Sequence, residues 1–359
     1  MDFVLRIIIF VVGLSIVIRT IFSAVQTFVV PRSARDKLTT LVFRFARRLF
    51  GLPLRKATTY EQRDRIMAYF APIGLLMLPP VWLILVALGY ALMYWAVGNV
   101  GPFEQALKVS GSSLLTLGYA APSDLPDTAL MFSEAAIGLI LVALLIAYLP
   151  TMYSAFQRRE SAVTMLEVRA GSPPSAIEMI LRYNRIHGLD RLSVVWPVWE
   201  AWFADIEESH TSLVALVFFR SPQPDHSWVT AAGAILDAAS FTRSTLDVPT
   251  DPQADLCIRA GFIALRRIAD YFRIAYNQSP QPGDPISISR EEFDLAYDQL
   301  ATANVPLKPD RDQAWRDFAG WRVNYDTVLL ALAAITMAPY APWSSDRSLL
   351  PARRRARLK

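Results

Sequence analysis

Thirty-one consecutive residues, 67–97, contain no Asp, Glu, Lys or Arg. About 20 apolar residues suffice to cross a hydrocarbon core. Within it, only helices and closed barrels satisfy their own backbone polar groups. Residues 135–157 are also free of charge, and 7–18 and 20–30 are two further uncharged runs separated by Arg19. Beyond residue 160, charges, aromatics and prolines recur at the spacing of a globular domain. The pattern predicts a mainly α chain, with membrane helices over about 3–30, 67–97 and 128–156 and an all-helical cytoplasmic domain after them.

Charge divides along the same line. Residues 1–160 hold 15 Lys/Arg against 9 Asp/Glu, whereas the remainder holds 21 against 23. Ten of the basic residues lie between Pro31 and Ile66. The basic balance therefore points to a loop beside an anionic leaflet and not to nucleic acid. With this loop and Arg158-Arg159 placed in the cytoplasm, the N-terminus falls outside and residues 158–359 inside. The 98–127 segment then faces outward, with Glu104, Asp124 and Asp127 offering cations a mild attraction. No cleavable signal pattern follows the first apolar run. Arg19 is costly near mid-bilayer. It either snorkels or faces a neighbouring helix, finds a buried partner, or belongs to a helix lying on the membrane surface. Residues 38–50 form a basic amphipathic stretch that reads as an interfacial helix. The single cysteine, Cys257, excludes an intrachain disulfide and reads as a small buried hydrophobe.

The third membrane helix should continue through Ala170 and stop at Gly171. Ser172-Pro173-Pro174 should open the next helix. Further helices are predicted over 196–209, 211–220, 226–244, 252–277, 289–304 (with the capping box Ser289-x-x-Glu292) and 310–338. Val328–Ala338 is apolar but too short to span a bilayer. Trp196, Trp199 and Trp202 make an aromatic helix face suited to core packing. Glu207-x-x-His210 has metal-ligand spacing, but no second such motif accompanies it, and no metal, cofactor or catalytic constellation is expected. The tail 346–359 is basic, and its end, 353–359, reads as disordered and suited to lipid head groups.

Thr116-Leu117-Gly118-Tyr119-Ala120 lies between the second and third apolar helices, after a short amphipathic run, Phe103 to Leu115. A dehydrated cation needs a ring of oxygens, and backbone carbonyls supply it without burying full charges. Thr116 offers a carbonyl and a hydroxyl, and Gly118 permits unusual backbone angles. Tyr119 can brace the loop against the short helix, while Ser112 and Ser113 can tie that helix to the loop. One loop per chain implies a homotetramer around a shared axis. Gly138 and Pro150 in the third helix are candidate gate hinges.

The arrangement resembles the two-transmembrane-helix potassium channel family, whose filter reads Thr-x-Gly-Tyr-Gly. Ser113, Thr116, Gly118 and Tyr119 are in register, and the chain departs at Ala120 and Ala121. The resemblance covers about 67–157. It implies a selectivity filter at Thr116, Leu117, Gly118, Tyr119 and Ala120, supported by Ser112 and Ser113. It also implies a multi-pass cell-membrane protein passing monovalent cations, potassium foremost, with no other cofactor. The filter's last glycine ordinarily sits at positive φ, so Ala120 predicts a rearranged outer filter and weaker potassium selectivity. The chain then divides into a helix and basic segment (1–66), a pore module (67–157), a helical cytoplasmic domain (158–345) and a tail (346–359). The alternative is a membrane-anchored helical sensor or interaction protein that conducts nothing.

Overall fold

Among the described residues, 2–28, 30 and 36–347 of a computed structural model, every regular element is a helix, apart from an isolated antiparallel bridge between Leu246 and Leu307. Three helical stretches are long and apolar enough to cross a membrane: Phe3–Phe28, Tyr60–Val97 and Leu125–Ala170. The chain forms two compact units, one of residues 1–57 and 66–154, the other of 58–65 and 155–359.

In the first unit, α1 (Phe3–Phe28) packs along α5 (Leu78–Val97). The crossing point is glycine on both sides: a Cβ on Gly13 would stand 2.5 Å from the Gly89 carbonyl oxygen. Small residues are what allow apolar helices to approach this closely. Arg19 is exposed, away from this contact. The amphipathic stretch is α2 (Lys37–Leu54), N-capped by Asp36, which accepts from the Thr39 N–H and the Ser23 hydroxyl. Ser23 in turn accepts from the indole N–H of buried Trp82, so the start of α2 is tied to α1 and α5.

The second apolar stretch, expected as a single helix over 67–97, is interrupted at Tyr69 and Met77. It is divided into α3 (Tyr60–Ala68), α4 (Phe70–Leu76) and α5. Pro79 sits in the first turn of α5, where its missing N–H costs nothing. The third stretch is one helix, α7 (Leu125–Ala170), longer at its start than the sequence suggests and ending at Gly171 with φ +82°.

The second unit is built around α10 (Trp228–Thr245), which is buried along almost its whole length. Its Ala, Gly and Ser positions leave room for α8 (Ala176–Arg185), α11 (Pro252–Phe272), α13 (Arg311–Arg322) and α14 (Asp326–Thr336) to close around it. Between α8 and α10, α9 (Leu192–Ser212) packs on α11 and buries Trp196, Trp199 and Trp202. Cys257 on α11 is buried. Several boundaries depart from the sequence expectation. Residues 214–218 form a 3-10 turn instead of an α-helix, and the 310–338 run breaks between Arg322 and Asp326. The cap of α8 is Ser175, not Ser172, with the two prolines outside the helix. The Ser289 capping box on α12 (Arg290–Thr302) is complete on both sides. The basic tail falls outside the described residues, apart from its first two positions.

Two polar clusters are sealed inside this unit. Arg322 is fully buried and donates to both Asp237 oxygens (2.6 and 2.7 Å) and to Asp326 (2.7 Å), with the Tyr325 hydroxyl donating to Asp237. Arg159 donates to the carbonyls of Leu216 and Phe219, pairs with Glu160, and lies 3.2 Å from Nε2 of buried His210. Glu207, meanwhile, pairs with Arg267, so the Glu-x-x-His spacing brings no ligand pair together.

His210 packs on the Trp228 ring, beside Ser209. Burial, and then the Arg159 charge, hold it well below the ordinary histidine range. Above pH of about 6.5 the ring is neutral both folded and unfolded. As pH falls below that, only the unfolded chain takes up the proton. Stability should then drop by about 1.4 kcal/mol per pH unit from this residue. His210→Gln keeps an acceptor for Arg159 and should flatten this slope between pH 6.5 and 5 in denaturant titrations. An unchanged slope would show that His210 does not set it.

Candidate functional site

The 98–124 connection holds the candidate site. It opens with Gly98 in the left-handed region (φ +88°), which ends α5 and turns the chain. The next helix, α6 (Phe103–Leu114), carries Glu104 in its first turn, where the helix dipole favours an acid. Phe103 meets Trp95 edge-on, and the Ser110 hydroxyl donates to the Ala87 carbonyl (2.9 Å). Moving down α6 therefore means moving back along α5, and the two helices are antiparallel. On its other side α6 touches α7. The Ser113 hydroxyl donates to the Met131 carbonyl (2.8 Å), and the carbonyl of Leu114 lies against Gly138.

That last contact lies well along α7. Gly138 is thirteen positions into α7 from Leu125, about 20 Å at 1.5 Å per residue. The ten residues 115–124 return to the start of α7, well within the roughly 33 Å such a segment can reach. A Cβ at 138 would stand 2.2 Å from the Leu114 carbonyl oxygen. Gly138 is where α6 comes closest to α7, and α7 is continuous through both candidate hinges, Gly138 and exposed Pro150.

The loop is folded onto the end of α6. Thr116 N–H donates to the Ser113 carbonyl (2.9 Å), and the Leu117 and Gly118 N–H groups both donate to the Ser112 carbonyl (2.8 and 3.3 Å). These bonds satisfy carbonyls that a helix end otherwise leaves orphaned. The Ser112 hydroxyl accepts from the Ala120 N–H (3.0 Å), and the Tyr119 hydroxyl reaches the Lys108 carbonyl at 3.4 Å. Of the two serines expected to hold the loop, Ser112 does so, while Ser113 holds α6 to α7. Residues 116–119 are exposed.

Two backbone and burial details were not evident from the sequence. The left-handed residues are Thr116 (φ +53°) and Gly118 (φ +72°), and Ala120 is outside that region. Thr116, just past the Leu115 C-cap, is the left-handed residue that turns the chain out of α6, a conformation costing a non-glycine residue roughly 1–2 kcal/mol. Asp127, read as an outward-facing acid, is fully buried at the start of α7, whereas Asp124 is exposed.

The residue that sequence reasoning missed is Glu134. Its side chain is fully buried between three helices. One carboxyl oxygen lies 2.5 Å from the Ser110 hydroxyl oxygen of α6, and the other accepts from the Tyr94 hydroxyl of α5 (3.1 Å). Tyr90, one turn earlier, bonds Ser133 (2.8 Å). The signal was available: Glu134 is an acid set into an otherwise apolar stretch of α7, and ionisable residues in such places default to function.

Comparison with protein-family models, with curated proteins and with solved structures returned no match.

Proposed function

We propose that the chain is one subunit of a homotetrameric cation channel, with α6 as a re-entrant pore helix and Thr116, Leu117, Gly118, Tyr119 and Ala120 as its filter. The observation that carries this reading is the short helix, about 18 Å long, that doubles back against α5, is bonded to α7 and ends in Thr-Leu-Gly-Tyr. A helix C-terminus carries partial negative charge, so α6 ends in a field that favours a cation. Glu134, Ser110 and Ser113 supply the bracing a filter helix needs, because they lock α6 to both neighbours. Four copies around an axis would supply the carbonyl rings that one loop cannot. In this reading the basic loop and the second unit are cytoplasmic, and the second unit assembles or gates the pore. The oriented loop and the buried acid favour conduction over a simple membrane anchor.

The test is flux of potassium and of sodium through purified protein in liposomes, with reversal potentials under bi-ionic conditions. Monovalent cations should pass, with weaker potassium selectivity than a Thr-x-Gly-Tyr-Gly filter gives. The reason is that Ala120, held by Ser112 and outside the left-handed region, keeps the outer loop from the course a glycine there would take. Ala120→Gly should raise the preference for potassium. A strongly potassium-selective wild type, indifferent to Ala120→Gly, overturns the selectivity argument. Flux of neither ion overturns the channel itself and leaves the anchored sensor.

A further inference from the structure

The helix α2 presents three distinct faces. At about 100° per residue, Val42 and Ala46 are buried, with Phe43 and Phe50 half-buried against Phe70 of α4. Phe43 also packs on Gly74. A second face is apolar yet exposed: Leu41 (62% exposed), Phe45 (52%), Leu49 (45%) and Leu52 (61%). Along its edge runs a third, of Lys37, Arg44, Arg48 and Arg55, all exposed. None of these four makes an ion pair among the described residues. Arginines of the second unit are commonly paired instead: Arg159, Arg220, Arg243, Arg267, Arg290, Arg311, Arg322 and Arg347 each hold a carboxylate. Uncompensated positive charge is thus a property of α2, and it lies beside an uncovered apolar stripe.

We propose that α2 is a docking surface for the anionic phospholipid of one bilayer leaflet: its Leu41–Leu52 stripe enters the acyl boundary, and Lys37, Arg44, Arg48 and Arg55 bind the headgroup phosphates. Two observations select this occupant. The start of α2 is tied to Ser23 in the last turns of α1, and through Ser23 to Trp82, so the helix begins where an apolar, membrane-length helix ends. An apolar stripe flanked by cations is also the two-part surface that an anionic lipid interface complements. Nucleic acid would match the charges and leave four large apolar side chains in water. A second copy packed stripe to stripe by a two-fold axis would bring like charges together. Neutral lipid would cover the stripe and leave the cations without counter-charge. The inference rests on the membrane reading of the apolar helices and not on conduction, so a protein that passes no ions leaves it standing.

The test uses the full chain with Cys257→Ser and a spin label at Leu49→Cys, in nanodiscs of phosphatidylcholine or of phosphatidylcholine with one-third phosphatidylglycerol. Relative accessibility to oxygen over a water-soluble nickel chelate should rise at least three-fold with the anionic lipid. Arg44→Gln, Arg48→Gln and Arg55→Gln together should abolish that rise and at least halve the phosphatidylglycerol retained per chain through purification. These side chains are exposed, and an unchanged unfolding midpoint would confirm that the variant folds. A label exposed to water in both lipids overturns docking. A label shielded from both reagents in both lipids shows that protein, a second copy, covers the stripe. A label equally immersed in both lipids, with lipid retention unaffected by the three substitutions, shows apolar anchoring without anionic recognition.

Discussion

Replacing Arg322 with methionine should destabilise the second unit by about 3–5 kcal/mol, the range for breaking a buried charge pair by removing one partner. Arg322 has no exposure and Asp237 almost none. Burial alone would lower the arginine's pKa, but the Asp237 and Asp326 carboxylates outweigh it and raise it, so the guanidinium stays charged. Without Arg322, Asp237 keeps only the Tyr325 hydroxyl, and Asp326 keeps Ser287. Two acids would then be left in an interior with no counter-charge. Adding Asp237→Asn to Arg322→Met should recover part of the loss, since a neutral amide is cheaper to bury than an unpaired carboxylate. Urea midpoints of the second unit, followed by tryptophan fluorescence, decide this. A loss under about 1 kcal/mol for the single variant would mean that the network is not what holds α13 to α10.

Gly138→Val should remove cation flux, by ten-fold or more, while the protein still inserts and its second unit unfolds normally. A side chain at 138 meets the backbone of Leu114, not a flexible side-chain end, so the end of α6 must move. Overpacking of this kind costs about 1–3 kcal/mol when the structure gives way. Here the part that gives is the helix end on which Thr116, Leu117 and Gly118 are hydrogen-bonded. Gly111→Ala is the control. It lies inside the same helix with open space around the added methyl, so it should conduct as the wild type and gain a few tenths to about 1 kcal/mol of helix stability. If Gly138→Val conducts normally, close packing at this point does not set the position of the loop.

Periodicity and charge alone were enough for the three apolar helical stretches, the amphipathic helix α2, the end of α7 at Gly171 and the capping box of α12. Each of these follows from local rules: a side-chain period, a run without charge, a residue that tolerates positive φ, a pair of reciprocal hydrogen bonds. The same rules placed Trp196, Trp199 and Trp202 on one helix face, and that face is buried. What they could not supply were contacts between residues far apart in sequence. Glu134 meets Ser110 and Tyr94 only because α6 folds back between α5 and α7. Gly138 gives no sign in the sequence of the Leu114 carbonyl that lies against it. Arg322 and Asp237 stand 85 positions apart and become a buried pair only when α13 closes on α10. The left-handed turn at Thr116 follows from the end of α6, where the Ser112 and Ser113 carbonyls take up loop N–H groups. Local sequence determines which segments are helices and which faces are apolar. Which polar groups are buried, and with whom, is decided by the tertiary structure, since desolvation and pairing depend on what the other helices bring.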